Sequence, residues 1–259
     1  MLQILLMILL FIAITYIYGL IYVFIGNFVS KEIQRNFGWK GFCIFGAIGV
    51  PFHEFTHWIM CKLFLHKVTK VEFFRPKKGK EDHVLGYVEH EYKKTKFRQM
   101  GNFFIGAAPM MLGTGLIILL FRILYPEAFE ILEPLGLNII GFKEMIANSM
   151  KFLLFIFKSS NIFSWKFLVF ILFLIAISAH IDMSWVDIKG SLSGVPLFII
   201  ISFILSIYIG RVIGFTLLGT AGALVIINIY YLYFLTIGAI INLIIGFTFY
   251  LIYKIRGGH

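Results

Sequence analysis

The chain has 259 residues and a mass of 29.8 kDa, is 60% hydrophobic with a mean hydropathy of +0.92, and only 14% of its residues are charged. So much apolar surface, including 30 Phe and 12 Tyr, exceeds what one aqueous core hides, which excludes a soluble globule and makes lipid the expected solvent. The formal charge of +10 does not point to nucleic acid, because the basic residues gather in short segments between apolar runs, where they report topology.

Residues 1–30 carry no charge and lack a basic n-region and an Ala-x-Ala cleavage site, so they read as a retained first span over 2–28. A polar link with Lys31, Glu32, Arg35 and Lys40 leads to a second apolar run, 41–66, interrupted by His53, Glu54, His57 and Lys62. Cys43 and Cys61 share this run, about 27 Å apart on a helix, too far for a disulfide. Residues 67–98 hold ten Lys or Arg against five acids and alternate as VTKVEFF and VLGYVEHEY about a turn region beginning at Pro76. That pattern predicts a β-hairpin on the membrane surface. A third span, 100–124, contains Pro109 and the glycines Gly101, Gly106, Gly113 and Gly115; close helix packing explains such small residues.

Residues 125–161 are mixed and slightly acidic, with Glu127, Glu130, Glu133 and Glu144, and suit an interfacial helix. A fourth span fits 163–181 and is followed by the polar break DMSWVDIKGSLSG. The run 195–253 carries one charge, Arg211, and divides into spans 196–218 and 222–253 with a hinge at 219–222. The expected fold class is an all-α polytopic membrane protein, a single domain over 1–259 with about six transmembrane helices and a small β-hairpin, 67–98, after the second. A cytoplasmic hairpin then puts both termini in the cytoplasm, with the cell membrane as the expected location and anionic headgroups beside the basic segment.

The second span contains HEFTH over 53–57, an HExxH string. Two His at i and i+4 lie one above the other on a helix and converge on one cation, while the Glu beside the first reaches a water on that cation. Chance supplies such a string in roughly one of 140 shuffled chains of this composition. An ionised carboxylate in an apolar helix costs about 2.5–3.5 kcal/mol even on the lenient insertion scale, and a divalent cation compensates it. The plainer reading makes the three residues polar glue between helices. A catalytic zinc needs a third protein ligand. The chain has three Asp, and two of them, Asp182 and Asp187, sit together in the break after the fourth span, where an unwound segment can return to the depth of His57. His180 is a further candidate.

HEFTH in an apolar helix, a strand-forming insertion after it, a Gly-rich third span and an Asp–Gly-containing break after a later span resemble the site-2 protease family of intramembrane zinc metalloproteases. The counterpart of that family's distal ligand motif is Ser184-Trp185-Val186-Asp187-Ile188-Lys189-Gly190, which lacks the family's prolines and separates Asp from Gly. The resemblance implies one Zn²⁺ per chain held by His53, His57 and Asp187, with Glu54 as general base, and a membrane-embedded protein or peptide as substrate. An unwound substrate would add as a strand to the edge of the hairpin. The competing reading is a transporter or ion-conducting protein using His53, Glu54 and His57 as a cation or proton relay. Arg211 is expected to snorkel to the outer surface, and Cys61 to act as a small hydrophobe.

Overall fold

The computed structural model describes residues 1–126, 142–159, 163–214 and 216–257. Helix α1, Leu2–Leu63, is interrupted only at Gly38, whose φ of +62° is a left-handed conformation that glycine adopts without a Cβ clash. The polar link anticipated around 31–40 is therefore helical, and the chain reverses at one residue. Gly26 in the first arm lies against Asp182, while Gly46, Gly49 and His53 in the second lie against His180. The arms 2–37 and 39–63 thus run antiparallel past one segment.

Strands β1 (Lys67–Glu72) and β2 (Tyr87–Glu91) form the anticipated antiparallel pair, with Val71 opposite Val88 and Val68 opposite His90. Their connection contains a short helix, α2 (Gly79–Asp82), and is held by the ion pairs Arg75–Asp82 and Lys78–Glu72. The hairpin does not lie on the surface at one end of the bundle. Trp39 Nε1 donates to the Pro76 carbonyl at 2.8 Å, Gly86 packs on the Glu54 side chain, and the His66 and His90 rings meet 3.0 Å apart. From Lys67 to Pro76 an extended chain covers about 30 Å, close to the roughly 37 Å of the second arm, so the hairpin runs along that arm from its end back to the bend.

The remaining helices are α3 (Lys96–Leu124), α4 (Phe142–Ser159), α5 (Trp165–Ser178), α6 (Trp185–Leu192), α7 (Val195–Ile213) and α8 (Leu217–Ile255). Among the described residues four helices, α1, α3, α7 and α8, are long and apolar enough to cross a membrane. Helix α5, with 14 residues, spans only about 21 Å and stops short of the expected fourth span. The break after it is not unwound throughout, because Ser184 caps α6 there. The last hinge falls at 214–216 instead of 219–222: Gly214 has a φ of +81°, and the Thr216 hydroxyl accepts the Gly219 N–H to start α8. The acids Glu127, Glu130 and Glu133 and the Glu144 side chain lie outside the described part of the chain. Helix α4 packs inward through Phe152, which meets Phe121 and Phe234.

The first arm of α1 packs along α8. Asn228 donates to the Met7 carbonyl, Tyr18 pairs with Thr236 at 2.6 Å, Tyr22 donates to the Leu235 carbonyl, and Asn36 donates to the Phe249 carbonyl. In lipid, where apolar helices gain little from leaving the solvent, bonds of this kind contribute about 0.6 kcal/mol each. Their order also fixes direction: residue numbers rise together along both helices, so the two are parallel. Met1 and Ile255 consequently lie at opposite ends of the bundle.

Candidate metal centre

His53, Glu54 and His57 stand on the second arm of α1, where the i, i+4 spacing brings the two imidazoles to a centroid separation of 4.8 Å. Each ring is fixed by its Nδ1. That of His53 is 2.8 Å from the His180 carbonyl oxygen, and that of His57 is 2.7 Å from the Ile105 carbonyl oxygen. Both carbonyls are free for a backbone reason. His180 follows the end of α5, where carbonyls lack helical partners. Ile105 lies four residues before Pro109 in α3, and Pro109 has no N–H to give it.

A carbonyl only accepts, so both Nδ1 atoms carry hydrogen and, in the neutral rings, both Nε2 atoms are bare lone pairs. These two nitrogens face each other at 3.1 Å. Two lone pairs at that distance repel unless a proton or a metal cation lies between them, and a proton would require an imidazolium inside an apolar helix. The third member is Asp187, whose Oδ1 is 3.6 Å from His57 Nε2. All three ligand atoms lie within 4.8 Å of one another. A tetrahedral metal with bonds of 2.0–2.1 Å separates its ligands by about 3.3 Å, close to the His53–His57 and His57–Asp187 spacings, so the three residues could hold a metal ion.

Asp187 is positioned by a capping box. Its Oδ2 accepts from the Ser184 N–H at 2.9 Å and from the Ser184 hydroxyl at 2.6 Å, while its own N–H donates to Ser184 Oγ. One carboxylate oxygen thus starts α6 and the other is left for the cluster. Helix α6 reaches this depth because Gly106 in α3 leaves room: a Cβ there would lie 2.5 Å from the Asp187 carbonyl oxygen and 2.7 Å from Ser191 Cβ. On the other side, a Cβ at Gly49 would collide with the His180 ring and the Ala176 carbonyl.

Asp182 is half-buried near Gly26 and outside the group whose ligand atoms lie within 4.8 Å of one another, although its charge reaches His53 and Glu54. His180 contributes its carbonyl, not its ring, whose Nδ1 is 2.9 Å from the Ala176 carbonyl oxygen. Arg211 is exposed in the last turn of α7, and Cys61 is buried and free. The supporting parts that a sequence reading missed are the Ile105 and His180 carbonyls and Ser184. Their signals were a Pro four residues after Ile105 and an S-x-x-D string before an apolar run.

The centre opens into a cavity of about 730 Å³ bordered by His53, Glu54, His57, Asp187 and the strand β2. Glu54, 9% exposed, presents a carboxylate with no hydrogen-bond partner among the described residues. Residues 86–90 all border the cavity. A sheet face would present alternate residues, so this continuous run marks the open edge of β2. No protein-family model, curated protein or solved structure matches the chain.

Proposed function

We propose that this chain is an intramembrane zinc metallopeptidase of the kind the site-2 protease family represents. The observation that carries the reading is the pair of His Nε2 lone pairs facing each other at 3.1 Å, with both Nδ1 atoms committed to carbonyls and a carboxylate oxygen at 3.6 Å. Zinc held by three protein ligands leaves a fourth position for water and lowers the pKa of that water toward neutrality. Glu54, on the same cavity wall and without a competing partner, takes a proton from the attacking water. The water oxygen bonds to the scissile carbonyl carbon, the C–N bond breaks, and Glu54 returns the proton to the leaving nitrogen.

The substrate is an unwound segment of a membrane protein or peptide, since a helix keeps its carbonyls engaged. The open edge of β2 offers main-chain donors and acceptors to such a segment as an added strand. Lys31, Arg35, Lys40, Lys77 and Lys80 lie toward the Gly38 bend, and Lys62, Lys67, Lys93, Lys94, Lys96 and Arg98 toward the other end of the second arm, so basic side chains meet anionic headgroups at both ends.

The test is zinc content per chain in detergent-purified protein. The wild type is expected to hold about one zinc, His57→Ala and Asp187→Ala to lose it, and Asp182→Ala to keep it. Zinc-free wild-type protein prepared without chelator would refute the metal centre, leave a proton shared between His53 and His57, and move a transport relay to first place. Zinc-bound protein whose activity survives Glu54→Gln would refute the peptidase.

A further inference from the structure

Beside the cavity, which His90 borders, lies a second pair of imidazoles, His66 and His90, at nearly the same spacing but with the opposite logic. His66 Nε2 is 2.8 Å from the Arg98 carbonyl oxygen, so that nitrogen carries the hydrogen and the neutral ring has a bare Nδ1. His90 Nδ1 lies 3.0 Å from it. An ordinary hydrogen bond satisfies this pair, with His90 Nδ1–H donating to His66 Nδ1, and no cation is called for. The tautomer of His90 follows: its Nε2 is a bare acceptor, with no partner among the described residues. Burial, together with the neighbouring His66 ring and against the pull of Asp187, holds the His90 imidazole below its ordinary range and so in the neutral form.

Tyr92 adds the complementary group. Its ring stacks on His66 at 4.6 Å with an interplanar angle of 17°, and its hydroxyl oxygen accepts from Asn102 Nδ2 at 2.8 Å. An amide NH₂ only donates, so the phenol keeps its own hydrogen for another acceptor. His90 and Tyr92 border the same cavity as His53, Glu54, His57 and Asp187. His90 and Tyr92 thus bring one acceptor and one donor to the same cavity, the two functions that the N–H and C=O groups of an extended chain call for.

We infer that His90 and Tyr92 are positioning residues that hold the main chain of an extended polypeptide beside the metal centre, His90 Nε2 accepting an amide N–H and the Tyr92 hydroxyl donating to a carbonyl. The identity of the ligand rests on the peptidase reading; the tautomer chain does not. It fixes a recognition of backbone and not of side chains, and a segment proline or N-methylated at the contacted residue is excluded.

The experiment uses full-length, zinc-loaded Glu54→Gln protein and fluorescein-labelled β-casein, an unstructured polypeptide, with binding read by fluorescence polarisation. Adding His90→Phe or Tyr92→Phe is expected to weaken binding about fivefold to tenfold, the effect of one hydrogen bond, with zinc content unchanged and a lower melting temperature, because His66 Nδ1 or Asn102 Nδ2 loses a partner. His90→Gln keeps an acceptor oxygen and is expected to bind within about twofold of the parent. Unchanged affinity in His90→Phe, loss of zinc in that variant, or a parent that does not bind casein overturns the inference. Casein bound through His90 yet left uncut by protein with Glu54 intact would sink the peptidase reading and leave this one standing.

Discussion

Replacing Gly106 by Ala tests whether α6 holds Asp187 at its working distance. Gly106 is no ligand and does not enter the chemistry. Its added Cβ would lie 2.5 Å from the Asp187 carbonyl oxygen, where ordinary contact begins at 3.4 Å, so the neighbour must retreat by about 0.9 Å in the absence of helix distortion. That neighbour is backbone and cannot rotate away, so α6 moves as a unit and carries the carboxylate with it. Metal ligands tolerate displacements of about 0.2 Å. A shift several times larger, applied to one of three ligands, is expected to lower zinc affinity about tenfold to one hundredfold, the range seen when the support of a ligand is lost. Competition with a fluorescent zinc chelator in detergent measures it. Gly115→Ala is the control, because a Cβ there meets nothing within 4 Å. If Gly106→Ala bound zinc as tightly as Gly115→Ala, Asp187 would not be held by this contact, and its place in the centre would lose its structural basis.

Ser184→Ala removes the two bonds of the hydroxyl, which accepts the Asp187 N–H and donates to Oδ2, and leaves the residue-184 N–H on Oδ2; it is expected to cost about 0.5–2 kcal/mol in α6 stability and to weaken zinc about tenfold by loosening the carboxylate, measured in the same competition assay. Val88→Pro breaks the β1–β2 pairing opposite Val71 at the edge that borders the cavity. Cleavage of labelled casein is expected to disappear while zinc content stays at the wild-type value; zinc lost together with cleavage would instead make the hairpin a structural wall of the centre.

Much of this site was legible because helical spacing is rigid. His53, Glu54 and His57 follow from i, i+4 geometry alone; the scarcity of Asp singled out Asp182 and Asp187 together, and the family resemblance pointed to Asp187 between them. Strand alternation likewise located β1 and β2. What escaped depends on facts that composition does not encode. The charges at 31–40 imitate a loop, yet the helix continues through them and turns at Gly38, because one left-handed glycine reverses a helix without unwinding it. Alternation shows that a hairpin forms but not where it docks, and here it lies along the helix it follows, held by Trp39 and His66 at its two ends. Helix direction escaped for a related reason: counting apolar runs does not say which of them pair, and the Met7–Asn228 and Asn36–Phe249 contacts make the first and last helices parallel.

Pro109 shows most sharply how backbone economy builds this centre. Proline inside a helix ordinarily costs about 3 kcal/mol, and Pro109→Ala would restore the Ile105 carbonyl bond to residue 109. The zinc-free protein is therefore expected to melt at a higher temperature. Yet that carbonyl is 2.7 Å from His57 Nδ1 and sets which ring nitrogen faces Asp187. Drawn back into the helix and shared with a second donor, it holds the imidazole less well, and zinc affinity is expected to fall about fivefold to tenfold. The two effects have opposite signs, so they separate in one experiment: melting curves of the zinc-free and zinc-loaded variant, with the zinc-dependent increment smaller than in wild type although the zinc-free midpoint is higher. A variant more stable in both forms by the same amount would mean that the Ile105 carbonyl holds His57 equally well with its helical bond restored, and that the proline serves only the shape of α3. A burial of two histidines in lipid needs two hydrogen-bond acceptors, and this chain draws both from main-chain carbonyls that a proline and a helix end leave unpaired.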